Sequence, residues 1–231
     1  MKLSEEMKNK TLLSFELFPP KTEKGLQNLP GTIDHLMKYN PSYISCTYGA
    51  GGGNVGANRE VCQMIKNAGT TPVTHFTVIK NTKEGIKEQL DQYLADGVDH
   101  MLALRGDIPL GETTTCGDFD YATDLVKFVR DTYGDKFEIA VAGSPEGHIS
   151  CRSLESDIAV LKQKQDNGAD YIMTQLCWDM EQFKYWLDAI RKAGITMPVD
   201  VGVMPILDQA ATINMALSRN GCVIDLSLIH I

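Results

Sequence analysis

The chain has 231 residues, 43% of them hydrophobic and 23% charged, which are ordinary globular proportions. Its formal net charge of −8 excludes a general nucleic-acid binder, which needs surplus Lys and Arg to neutralise phosphates. No apolar run approaches the roughly 20 residues of a membrane span, so no membrane association is expected. Residues 1–10 are charged and polar, with no signal-peptide core after them. Cys46, Cys62, Cys116, Cys151, Cys177 and Cys222 stand singly, without a C-x-x-C pair. Several sit in apolar runs and read as buried thiols, a disulfide framework or metal cluster is not expected, and the expected compartment is the cytoplasm.

Short apolar runs rich in β-branched residues recur along the chain. They are Leu12–Phe18, Tyr43–Tyr48, Val73–Ile79, His100–Arg105, Phe137–Ala142, Tyr171–Leu176 and Val199–Met204. Each is apolar on both faces, as strands of a parallel sheet covered on both sides are. Between them, residues 81–96 place Ile86, Leu90, Tyr93 and Leu94 on one helical face. Residues 154–167 do the same with Leu154, Ile158 and Leu161, and residues 181–193 with Phe183, Leu187 and Ile190. Gly97, Gly168 and Gly194 follow these helices in the place of C-terminal caps.

This is a βα alternation with a period of about thirty residues, which suits either a doubly wound sheet or a (β/α)8 TIM barrel. The unusual polar residues favour the barrel. Glu16, Thr47, His75, Arg105 with Asp107, residues 144–148 and Gln175 all sit at or just after C-terminal strand ends, which a barrel converges on one mouth. The expected class is therefore α/β, a TIM barrel with about seven βα units present and the eighth missing. One domain over residues 1–225 is expected, without a linker. After Pro205 one more helix fits, Gln209–Leu217. The ending Leu226–Ile231 (LSLIHI) reads as a non-native tail, because it matches the translation of a transposon end used in sequencing-library preparation.

Five places carry residues suited to chemistry. In Phe15-Glu16-Leu17-Phe18-Pro19-Pro20 a carboxylate lies inside an apolar strand. Burial would raise its pKa towards that of a usable general acid, while pairing with a buried base fits the pattern too. With the eighth strand absent, Glu16 is expected at a wet gap with a pKa near the ordinary value of about 4.3. The glycine-rich run after Tyr48 suits either a phosphate cradle or a flexible loop. Arg105-Gly106-Asp107 sets opposite charges around a glycine, and His148 with Lys164 offers cations for a phosphate. Gln175 offers donor and acceptor to a heterocycle, or is satisfied by backbone. Trp178 and Trp186 are expected to pack the barrel exterior.

In this order the stretches SFELFPPKT, YISCTYGA, VTHFT, LALRGDIP, SPEGHI and GADYIMTQLCWD resemble the methylenetetrahydrofolate reductase family, from about residue 12 to about residue 205. SFE-x-FPP and ALRGD are specific to that family. The resemblance implies a flavoprotein barrel that reduces 5,10-methylenetetrahydrofolate to 5-methyltetrahydrofolate, within one-carbon metabolism and methionine biosynthesis. It implies FAD as cofactor and NADH, NADPH or a partner protein as electron donor. By motif, Glu16 matches the general acid that opens the imidazolidine ring. Asp107 matches the carboxylate that stabilises the resulting cation, and it also contacts cofactor and folate. Gln175 matches the folate-contacting amide. Thr47, Tyr48, Ala50, His75, Arg105, Gly106, Asp107, Ala122, His148, Asp157 and Lys164 match flavin-site positions.

The chain departs from the family pattern at Ser144, where bacterial members carry a Tyr, and in its longer glycine-rich loop. A Phe expected after the seventh strand is not evident near Gln209. Two competing readings stay open: a pterin-dependent methyltransferase-type barrel, and an inactive barrel serving as a binding subunit. Homo-oligomerisation stays open as well.

Overall fold

The computed structural model describes residues 2–48, 55–108, 111–148, 151–208, 210 and 212–214. Ala50, the tail 226–231 and most of the helix expected at 209–217 lie outside the described residues. Seven parallel strands pair in sequence order: β1 (Ser14–Leu17), β2 (Tyr43–Cys46), β3 (Thr71–Thr77), β4 (His100–Leu104), β5 (Glu138–Gly143), β6 (Tyr171–Thr174) and β7 (Val199–Asp200). Helices α2 (Glu23–Met37), α3 (Val55–Asn67), α4 (Lys83–Ala95), α5 (Ala122–Tyr133), α6 (Leu154–Asp166) and α7 (Met180–Lys192) alternate with them. This is a TIM-barrel wall of seven strands with six helices between them, and β1 and β7 share no backbone ladder among the described residues.

The helices start where side chains satisfy the orphan amides of the first turn. Thr22, Thr82 and Ser153 accept from the backbone N–H groups of Gly25, Gly85 and Ser156, and Asp179 accepts from both Glu181 and Gln182. Gly97, Gly168 and Gly194 hold φ of 70°, 102° and 76°, the left-handed conformation expected of them. Helix α2 runs through Pro30, which removes an amide donor from its interior. Burial of Leu29 and Ile33 holds it there, so packing overrides propensity. Except for β3 and β5, the strands are shorter than their apolar runs: β7 has two residues where six were expected. Hydrophobicity continues past the last ladder bond, into the loops of the mouth.

Two cores result. The outer one lies between strands and helices and centres on fully buried Phe76, Val126 and Trp186. Trp186 packs the barrel exterior as expected, whereas half-buried Trp178 donates its indole N–H to the Met204 carbonyl at 3.1 Å. The inner core fills the barrel with Tyr43, Val73, Leu102, Ala140 and Tyr171. It is closed at the N-terminal end by a short helix that the sequence did not announce, α1 (Leu3–Met7). Leu3 and Met7 join the inner core, and the Leu3 and Ser4 N–H groups donate to the Glu138 carboxylate at 2.7 and 2.8 Å. Cys46, Cys62 and Cys177 are buried as expected, but Cys116 is exposed and Cys151 only half-buried.

Candidate functional site

The pleat decides which side chains enter the barrel. Tyr43 and Val73 belong to the inner core, and Tyr43 pairs with Thr71 and Ser45 with Val73. His75 and Thr77 follow Val73 at intervals of two, so they point inward near the C-terminal mouth. Glu16 pairs with Ser45 and shares this inward face.

Glu16 is exposed at the opening, yet enough protein surrounds its carboxyl for desolvation to raise its pKa above 4.5. The expected relaxation to an ordinary value is therefore not found. The surrounding protein desolvates the group even beside the open side. His75 is wholly buried and burial lowers its pKa to about 4, so it is neutral at pH 7. Its Nε2 and the hydroxyl of Thr77 are buried without a hydrogen-bond partner. Such orphans cost free energy in a folded chain unless something else bonds to them. Thr77 was not singled out in the sequence. Its signal is the two-residue spacing from His75 in the VTHFT strand.

At the ends of β4 and β5 a charged group assembles. Lys164 of α6 reaches back to donate to the Ala142 carbonyl at 2.9 Å, and burial lowers its pKa while Asp157 and Cys151 pull it up. Asp157 accepts from the His148 backbone N–H at 3.2 Å. His148 stands at the solvent edge. Partial burial lowers its pKa; Asp157 opposes this, and the charges of Arg105 and Lys164 add to it. Arg105, His148, Asp157 and Lys164 thus occupy one electrostatic neighbourhood, with cationic groups in excess. Gly106 holds φ of 84°, and a Cβ there would stand 2.6 Å from Ile79 Cγ1, so glycine is required for close approach to β3. Asp107 next to it is exposed.

The remaining expected residues fall at the same end with differing aims. Thr47 is half-buried, its N–H bonded to the Leu17 carbonyl at 2.9 Å. The Tyr48 side chain turns away into the helix layer. Its hydroxyl donates to Gln89 at 2.7 Å, and burial pushes its pKa up to about 12. Only its backbone is free to face the barrel interior. Ala122 opens α5, after the long β4–α5 connection. Gln175 continues β6, receiving at its Oε1 the Leu176 N–H at 2.8 Å while its own N–H donates to the Gly143 carbonyl.

Comparison with known proteins gives the family and the fold of this chain. The model of the methylenetetrahydrofolate reductase family matches residues 2–224. Methylenetetrahydrofolate reductase (NADH) 1 of Arabidopsis thaliana is 38% identical over 219 residues, covering 89% of this chain and 37% of that protein. The 5,10-methylenetetrahydrofolate reductase of Escherichia coli is 34% identical over 202 residues, covering 87% of this chain and 67% of that one. The chain thus spans little more than a third of its plant relative. Among solved structures, a protein from Clostridium thermocellum that binds two copies of 5-methyl-5,6,7,8-tetrahydrofolic acid aligns over 87% of this chain and 69% of its own. Its TM-score is 0.62 at 14% identity. A 2,3-dimethylmalate lyase aligns over 99% of this chain and 90% of its own, with a TM-score of 0.60 at 10% identity. At such identities these likenesses speak for the barrel fold alone. With the family model running through β1 to β7 and both relatives agreeing, the chain belongs to the methylenetetrahydrofolate reductase family.

Proposed function

We propose that this chain forms the reductase barrel that converts 5,10-methylenetetrahydrofolate to 5-methyltetrahydrofolate, in the cytoplasm, with FAD bound at the C-terminal mouth. The observation that carries the reading is the pair of buried, unpartnered polar atoms, His75 Nε2 and Thr77 Oγ1, on the inward face of β3. They suit a heteroaromatic ring that both donates and accepts, and the cations Arg105 and Lys164, with the His148 imidazole beside them, suit a pyrophosphate. The residues present therefore fit FAD. When bound, FAD supplies hydride transfer between a nicotinamide and the folate.

The protein's own groups then have separable tasks. Thr47, His75, Arg105, Gly106, Ala122, His148, Asp157, Lys164, the backbone at Tyr48, and Ala50 by its motif, would hold the cofactor. Glu16, whose carboxyl desolvation makes easier to protonate, is the group placed to give a proton to the folate amine that leaves when the imidazolidine ring opens. Asp107 places a negative charge beside the iminium cation so formed. Gln175 orients the pterin, and the nicotinamide when that occupies the site, through its amide. NADH, NADPH and an electron-transfer protein are the donors to compare, and the plant relatives carry NADH in their names. The test is purification of this protein followed by its visible spectrum and anaerobic reoxidation of the reduced flavin. Bound flavin that reoxidises with methylenetetrahydrofolate and yields 5-methyltetrahydrofolate is the expected result. A colourless protein that gains no flavin on incubation overturns the reading.

A further inference from the structure

A fully buried amide stands behind this site. Asn58, in the first turn of α3, is 0% exposed. Its Nδ2 donates to the carbonyls of Cys46 and Thr47 at 3.0 and 3.1 Å, where β2 ends and the mouth begins. Its Oδ1 accepts from Thr74 Oγ1 of β3 at 2.8 Å and from the Tyr93 hydroxyl of α4 at 2.7 Å, with Cys62 Sγ a weaker third donor at 3.5 Å. The orientation follows from chemistry. Two carbonyls can only accept, so the NH2 must face them, and the hydroxyls of Thr74 and Tyr93 then have the oxygen to donate to. Thr74 Oγ1 also lies 3.1 Å from the His75 carbonyl.

One side chain thus ties the end of β2, the residue before His75, and two outer helices. Its bonds lie outside the barrel interior, and it meets the assigned residues only at the Thr47 carbonyl. A core that needed only volume would be served by Leu. An amide with both of its donors aimed at consecutive carbonyls instead fixes the backbone at that point, since carbonyls buried without donors carry a large desolvation cost.

We propose that Asn58 is a positioning residue, which sets the backbone of Thr47 and His75 in the geometry that the mouth requires. The inference rests on the reading of that mouth as the FAD site. It extends that reading by naming a residue that acts through Thr47 and His75 without contacting the ligand.

The test sets the two ends of the amide against each other. Asn58→Asp keeps the oxygen that accepts from Thr74 and Tyr93 but, once ionised, offers nothing to the two carbonyls. Tyr93→Phe removes a donor from the accepting end and leaves both donations intact. FAD affinity, melting temperature and hydrogen exchange of the flavin-free protein are measured for each. Asn58→Asp is expected to weaken FAD about tenfold or more, increasingly as pH rises, and to speed exchange in residues 43–48. Tyr93→Phe is expected to lower the melting temperature with FAD affinity within about twofold of the parent. Should Asn58→Asp not fold, Asn58→Ser, which cannot span both carbonyls and buries no charge, is expected to shift affinity and exchange in the same direction. Parent-like FAD affinity in a folded Asn58 variant, or an equal loss in Tyr93→Phe, overturns the proposal. If the parent itself binds no flavin, the reading of the site fails and exchange judges the positioning role. Faster exchange in 43–48 with Asn58→Asp and not with Tyr93→Phe supports it, and equal exchange overturns it.

Discussion

Ser14 Oγ on β1 donates a 3.0 Å hydrogen bond to Asp200 Oδ2 on β7, so the first and seventh strands meet through side chains although their backbones share no ladder among the described residues. The Tyr43 hydroxyl of β2 donates to the same carboxylate oxygen. One carboxylate inside the barrel thereby gathers three strands. Replacing it strands two hydroxyls, at a cost of about 1–3 kcal/mol for each buried group left unsatisfied. Asp200→Ala is therefore expected to lower unfolding free energy by about 2 kcal/mol, and Ser14→Ala by about 1 kcal/mol or less. Urea titration of both variants checks this, and equal effects would mean that Asp200 does not share its load.

The barrel floor makes stability pH-dependent on its alkaline side. His100 Nδ1 lies 2.6 Å from Asp99, and its Nε2 makes a 2.9 Å ion-pair contact with Glu138. Burial disfavours the imidazolium, but the hydrogen bonds and charges of Asp99 and Glu138 outweigh it, raising the pKa from 6.5 to about 9. A folded-state pKa above the unfolded value gives stability that is complete below pH 6.5 and lost as pH rises through about 9. Burial likewise opposes the Glu138 charge. His100, Ser4 and Leu3 overcome it and bring the pKa from 4.5 down to about 2, so that contribution is lost only as pH falls from 4.5 to about 2. Melting temperature is expected to fall between pH 6.5 and 9, and this part of the fall should vanish in His100→Gln. A flat profile in the parent would refute the floor's role.

His75 is expected to trade stability against binding. Its unpartnered Nε2 burdens the flavin-free fold, and its pKa, lowered by burial from 6.5 to about 4, costs stability as pH falls through that window. His75→Leu should leave melting at pH 7 equal or higher and remove that acid loss. FAD affinity should fall by about tenfold. Thermal scans from pH 4 to 7 and flavin titration read both effects. Unchanged FAD affinity would remove His75 from the site.

Glu16→Gln is expected to separate the two half-reactions. Oxidation of the nicotinamide by bound flavin needs no acid and should persist. Folate reduction should slow by about 10²–10⁴-fold, the range of a positioned general acid. Stopped-flow spectroscopy measures each half alone, and equal slowing of both would make Glu16 a structural residue.

Gly106→Ala tests the close approach of the β4 end to β3. At φ of 84° and with Ile79 Cγ1 2.6 Å from the new Cβ, strain and overlap should cost about 1–3 kcal/mol. Chemical denaturation checks this, and a neutral effect would place the site's flexibility at this turn.

The chain's order of elements was legible without coordinates. Apolar runs such as Val73–Ile79, glycines after helices, and polar residues at strand ends are local signals, and a local signal survives in one dimension. Glu16, Arg105 and His148 could be named for the same reason: each interrupts a pattern. Helices α2, α3 and α5 were not placed from the sequence, and α2 runs through Pro30 because packing of Leu29 and Ile33 overrides propensity. Tertiary structure alone decided the rest. Tyr48 turns outward because Gln89 and the helix layer receive its hydroxyl, and α1 closes the floor because Glu138, far away in sequence, accepts its first amides. Asn58 gains its meaning only when the ends of β2 and β3 and the hydroxyl of Tyr93 converge on it. Hydrogen bonds between distant residues depend on where the fold brings them together, and residue type and spacing do not encode that partner.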